Sequence, residues 1–148
     1  MVVAFVEGMA RADYDPVRHQ VSLLSLADRG WIQVANFLGS GLLIVGFAAG
    51  LRRVVTPGRA ANAGPVAVGA AGSGLVIAGL FSVQPSFGYP PGAPAGIPAP
   101  EAGSYLHVLG AFLFFFGMVV AAFMFAARFR AANAAVGWPS RSVPACWC

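Results

Sequence analysis

Three uncharged apolar runs constrain this chain more than any other feature. They cover 31–51, 64–84 and 105–127, which is 21, 21 and 23 residues, and arginine or proline closes each one. At a rise of 1.5 Å per residue, about 21 residues make a helix of ~31 Å, the thickness of a bilayer hydrocarbon core. Backbone amides in lipid must find partners within their own segment, which leaves helices. A barrel strand would alternate apolar and polar residues, and these runs do not. The fold expected is therefore all-α, a polytopic transmembrane helical bundle with three complete spans.

Composition points the same way. Hydrophobic residues make up 58% of the 148 and charged residues 9%, whereas soluble domains carry about 25% charged residues. A soluble surface cannot be clothed with so few charges, and disorder needs low hydrophobicity. The two cysteines, Cys146 and Cys148, sit together at the tail; they make no disulfide framework and no prenylation box, and read as free thiols. The length suits one domain, so 1–148 is read as a single transmembrane domain, with 137–148 as an atypical tail.

The segments between the runs carry the topology. Met1 to Val6 is apolar and too short to span, and Glu7 interrupts it; it is expected to be a short helical stump of a longer helix, in a chain incomplete at both ends. Asp15-Pro16 has the form of a helix start, with Val17, Val21 and Leu24 at helical spacing behind it. A short outer interfacial helix is expected there. The loop 85–104 holds six prolines and is expected to be irregular and exposed.

Every basic residue is an arginine. Arg52, Arg53 and Arg59 follow the first run, and Arg128, Arg130 and Arg141 follow the third, with no acid among them. Arg11, Arg18 and Arg29 precede the first run and are offset by Glu7, Asp13, Asp15 and Asp28. Cytoplasmic loops are enriched in arginine and lysine, which places the C-terminus in the cytoplasm and the N-terminal segment outside a plasma (inner) membrane. The arginines lie at span ends, not in a stripe or tail, and nucleic acid is not an expected partner. The expected partners are the lipid bilayer and other membrane helices. Gly46 with Gly50, the ladder Ala70, Gly74 and Ala78, and Gly117 with Ala121 are candidate helix contact faces. The phenylalanines of the third run (Phe112, Phe114, Phe115, Phe116, Phe123 and Phe125) read as lipid-facing and packing bulk.

The polar side chains gather at the outer end. Gln33, Asn36 and Ser40 share one face of the first span, and Ser82, Gln84 and His107 lie at the same level. With Asp13, Asp15, Arg18 and His19 they form a candidate outer binding pocket of Asp13, Asp15, Arg18, His19, Gln33, Asn36, Gln84 and His107. The bland alternative is hydrogen-bond glue between helices. His19 and His107 with two aspartates lack metal-ligand spacing, so no metal or other cofactor is expected. No hydrolase elbow, phosphate loop or HExxH motif occurs. The expected role is structural, binding or accessory and non-enzymatic; the alternative is a transporter-like or lipid-handling protein using the outer pocket, with a membrane enzyme a third possibility.

Asp13-Tyr14-Asp15-Pro16-Val17-Arg18-His19-Gln20-Val21-Ser22-Leu23-Leu24-Ser25-Leu26, followed by Gly30-Trp31-Ile32-Gln33-Val34-Ala35-Asn36-Phe37, resembles the bacterial membrane-protein family catalogued as domain of unknown function 998. Gly88-Tyr89-Pro90-Pro91-Gly92 and Leu106-His107-Val108-Leu109-Gly110 are similar to later family segments. The resemblance runs from about Asp13 to about Arg130. It implies a polytopic helical protein with a further complete helix before the Asp13 segment and more helices after the third span. Gln84 stands where members carry an acid before the proline. The tail from Gly137 is unlike the family and suggests a truncated or displaced reading frame. No activity comes with the resemblance.

Overall fold

The computed structural model describes residues 2–55 and 62–135. They form four α-helices: α1 (Val2–Met9), α2 (Gly30–Val54), α3 (Ala63–Leu80) and α4 (Ala102–Ala135), with a 3-10 turn over Val21–Ser25 between α1 and α2. Arg59, Arg141, Cys146, Cys148 and the tail 137–148 lie outside the described residues. The last three helices are long and apolar enough to cross a membrane, so the three-span expectation holds.

α3 is the middle helix. Half of its span is buried, against 11% for α2 and 17% for α4, and it packs on both neighbours. Its sequence explains why. AVGAAGSG offers almost no side-chain bulk, so the flanking helices approach its backbone directly. A Cβ on Gly41 of α2 would stand 2.8 Å from the Gly72 carbonyl of α3, and one on Gly74 would stand 2.5 Å from the Gly110 carbonyl of α4. Gly117 meets Ala67 and Ala71 in the same way. Ala67 and Val68 of early α3 cluster with Ala48 of late α2 and Ala121 of late α4, while Gly79 and Gly74 of late α3 meet Phe37 of early α2 and Gly110 of early α4. Hence α2 and α4 run parallel to each other and antiparallel to α3. Arg52, Arg53, Arg128 and Arg130 therefore share one end. Ala48, Ala67, Val68 and Ala121 close the core near that end, with Phe125 laid over Gly64.

The outer surfaces of α2 and α4 remain open. Leu42, Leu43, Phe47, Phe112, Phe115, Phe116 and Phe123 are all exposed, as lipid-facing residues would be. Phe125, by contrast, packs inward. Of the expected small-residue faces, the Gly74–Ala78 part of the ladder and the Gly117–Ala121 pair are buried. The Gly46–Gly50 pair is not a contact: a Cβ at either position would meet nothing within 4 Å. Spacing along one helix does not reveal which face meets a neighbour.

Element ends depart from expectation for local reasons. α2 and α4 run beyond the apolar runs into their arginines. Arg52 and Arg53 fall in the last turn of α2, where positive charge suits the helix C-terminal end, whereas α4 continues past Arg128 and Arg130 to Ala135. α3 stops at Leu80, short of Gln84. Pro85 disfavours helical backbone at Gln84, and the ring of His107 takes over the freed carbonyls of Ala78 and Phe81. No helix starts at Pro16. The Asp15 carboxylate accepts from the Val17 N–H at 2.9 Å, and the His19 N–H bonds the Asp15 carbonyl at 2.8 Å. This closes a side-chain-stabilised turn in place of a helix. The helical residues come later, in the 3-10 turn, which buries Leu23 and Leu24. Gly30 then opens α2 where a Cβ would lie 2.1 Å from the Ser25 carbonyl, so only glycine fits.

The proline-rich segment is also more ordered than expected. Ser86 and Tyr89 exchange backbone bonds at 3.0 and 3.2 Å around a tight turn. Phe87 and Gly88 both have positive φ there. The turn presses Tyr89 into a small apolar core with Ala4, Tyr14, Leu23 and Leu24. α1, the Asp15 turn, the 3-10 turn and this loop together form a cap over one end of the helices, the end that begins α2 and α4. Trp31 and Tyr105, both exposed, lie in the first turns of those helices.

Candidate functional site

The cap is organised by one buried arginine. Glu7 and Arg11 lie four residues apart where α1 ends, and their side chains pair at 3.2 Å with relative exposures of 7% and 9%. Arg11 Nη1 donates to the Leu26 carbonyl at 3.0 Å and to the Tyr89 hydroxyl at 2.9 Å. The second Glu7 oxygen accepts from Arg29, the residue before α2. One carboxylate and one guanidinium thus bind α1, the entry to α2 and the proline-rich loop together. A guanidinium suits this, because it presents several donors in one rigid plane.

An aromatic cluster lies beside them. The rings of Tyr14, His19 and Tyr89 sit mutually 5.4–5.5 Å apart. His19 Nδ1 accepts from the Asp15 N–H at 2.9 Å, which puts the ring proton on Nε2, 3.1 Å from the Phe87 carbonyl that accepts it. The Tyr14 hydroxyl donates to the His19 carbonyl at 3.0 Å. Burial, and next the neighbouring Tyr89, push the Tyr14 phenol above its ordinary value of 10.0. Below about pH 10 the phenol is neutral in both folded and unfolded chains. Above it the unfolded phenol ionises first, so stability falls as pH rises. Thermal unfolding in detergent should therefore fall to lower temperature as the pH is raised through and above about 10. Tyr14→Phe should remove part of that drop, at a cost of ~1 kcal/mol near neutrality for the lost hydrogen bond.

The residues expected to form one pocket divide into separate bonded groups. Asp15 and His19 are joined in the turn. Gln33 is fully buried; its Oε1 accepts from Asn36 at 3.4 Å, and its Nε2 has no hydrogen-bond partner. Gln84 braces the far side of the loop, donating to the Ala99 carbonyl at 3.2 Å and accepting from the Glu101 N–H at 3.1 Å. His107 donates from Nδ1 to the end of α3 at 2.8 and 2.9 Å, with Phe37 of α2 beside its ring. Arg18 is exposed on the turn. Asp13 lines an open cleft of about 180 Å³ with Arg11, Ala12, Ala27, Asp28, Arg29, Tyr89 and Pro91. Glu7, Arg11, Arg29, Tyr14 and Tyr89, which hold the cap together, are not among the pocket residues expected from sequence. The available signal was an acid and a base four residues apart in an otherwise apolar segment. Among the described residues no group of three or more His, Cys, Asp or Glu could hold a metal ion.

Three apolar helices under a folded polar cap define a multi-pass membrane protein. The family model described as "Protein of unknown function (DUF998)" matches residues 1–145, and the chain belongs to that family. The match extends past the 13–130 stretch on both sides and takes in α1 and most of the 137–148 tail. No match to the chain was found among curated proteins or solved structures.

Proposed function

We propose that the chain is a non-enzymatic multi-pass protein of the plasma membrane, with a structural or binding role carried by the cap. The cap faces outward and the arginine-bearing ends of α2 and α4 face the cytoplasm. The observation that carries this reading is the commitment of the polar side chains. His19, Gln84 and His107 spend their hydrogen bonds on backbone groups, and both terminal nitrogens of Arg11 are bonded within the cap. Both ring nitrogens of His19 are engaged, which leaves that histidine no lone pair for proton transfer. Against a transport path stands the apolar character of α3 and α4 away from the cap; transporter sites place polar groups near mid-bilayer.

The orientation follows from arginine asymmetry and is testable with single cysteines. In a Cys146→Ser, Cys148→Ser background, Ile97→Cys on the exposed loop should react with an impermeant thiol reagent added to intact cells. Ala61→Cys should react only after permeabilisation. The reverse pattern would invert the topology and move the cap to the cytoplasm.

A further inference from the structure

The cleft against the Arg11 hub carries unspent hydrogen-bonding groups of both signs. Tyr89 is 3% exposed, and its oxygen accepts from Arg11, but its own hydroxyl hydrogen has no acceptor among the described residues. Arg11 Nε is buried and unpartnered. Both residues line the cleft, where the Tyr89 hydroxyl hydrogen remains to be accepted. Arg29 on the same wall is half-exposed and bonds Glu7 through one nitrogen, so its other N–H groups are open to an acceptor oxygen. Opposite in sign, Asp13 and Asp28 line the same cleft, and neither carboxylate has a partner among the described residues. Ala27, also on the wall, holds φ of 64°. Such left-handed backbone is costly for alanine and concentrates at binding sites.

A lone cation would satisfy the two aspartates but would meet Arg11 and Arg29 and leave the Tyr89 hydroxyl hydrogen unpaired. A lone anion would meet the aspartates. A ligand with both charges satisfies both sets. The remaining wall residues (Ala12, Ala27 and Pro91) are small, and about 180 Å³ admits a headgroup and not an acyl chain. Arg29 stands two residues before the exposed Trp31 that starts the first apolar run, so the cleft opens at headgroup depth.

We propose that this cleft binds a phosphoethanolamine-type zwitterion, with its phosphate oxygens on the donors of Tyr89 and Arg29 and its ammonium on Asp13 and Asp28. This deepens the binding role proposed for the cap, and it holds whichever leaflet the cap faces.

The test uses the full chain, extracted from vesicles of equal phosphatidylethanolamine and phosphatidylglycerol, with retained lipid read by native mass spectrometry. The wild-type chain should retain phosphatidylethanolamine over phosphatidylglycerol by about tenfold. Asp13→Asn with Asp28→Asn should bring the ratio near one with the thermal midpoint unchanged, because both side chains are exposed and unbonded. Tyr89→Phe keeps the ring and should weaken retention of phosphatidylethanolamine several-fold. Phosphorylethanolamine added at about 10 mM separates the sources: displacement of the lipid identifies the headgroup chemistry as sufficient, and retention identifies a membrane lipid as the ligand. Equal retention of the two lipids by the wild type, or an unchanged ratio in the folded double aspartate variant, would overturn the proposal. The assay averages over both leaflets, so its failure leaves the cysteine-labelling result standing.

Discussion

Arg11→Ala should collapse the cap. The guanidinium is nine-tenths buried and bonds Glu7, the Leu26 carbonyl and the Tyr89 hydroxyl. Its removal leaves the Glu7 carboxylate buried with only the half-exposed Arg29 as partner, and leaves a carbonyl and a phenol unsatisfied. Breaking a buried pair from one side costs about 3–5 kcal/mol. For a chain of this length that lowers the thermal midpoint on the order of 10 °C. Glu7→Gln keeps the shape and some hydrogen bonding, and should cost ~1–3 kcal/mol. Arg18→Ala, on an exposed arginine of the same segment, should stay within ~0.5 kcal/mol. Thermal unfolding of the three variants in one detergent checks the order; equal midpoints for Arg11→Ala and Arg18→Ala would show that the hub does not hold the cap.

The second large effect belongs to the helix layer. Gly74→Leu should separate α3 from α4, because its Cβ alone would fall 2.5 Å from the Gly110 carbonyl and 2.7 Å from the Phe114 nitrogen. Both obstacles are backbone, which cannot rotate away. Gly110→Leu meets the mirror obstacle at the Gly74 carbonyl. Overpacking typically costs about 1–3 kcal/mol; with backbone as the obstacle on both sides the upper end is expected, and it should appear as aggregation or loss of the monodisperse species on size exclusion. Gly46→Ala and Gly50→Ala enter open space and should be neutral or slightly stabilising, alanine being the better helix former by ~1 kcal/mol. Equal damage from Gly46→Ala and Gly74→Leu would mean that the helices pack through a different face.

These two results also mark where the sequence could be read and where it could not. The spans were legible because lipid imposes a length and a composition on every crossing segment, and Trp31–Leu51 or Tyr105–Ala127 shows both without reference to a neighbour. Which glycines touch was not legible. Gly46–Gly50 and Gly74–Ala78 look alike along the chain, and only the position of α3 between two partners separates them. The polar residues divided in the same way. Gln33, Asn36 and His107 stood out because polar groups in apolar runs are costly, yet their partners are local or backbone groups. Glu7 and Tyr89, 82 positions apart in sequence, meet through Arg11, and nothing in either neighbourhood announces the other. The Asp15-Pro16 pair misled because a capping aspartate and a turn aspartate use the same carboxylate-to-amide bond; the backbone after Val17 decides which one forms.

The account stands on α2, α3 and α4 being held in lipid, and fractionation tests this most directly. After a high-salt wash of membranes from cells producing the chain, the protein should remain in the membrane pellet and leave it only with detergent. Recovery from the detergent-free supernatant as a helical, monodisperse monomer would contradict it, because the exposed leucines and phenylalanines of α2 and α4 could not then be facing lipid.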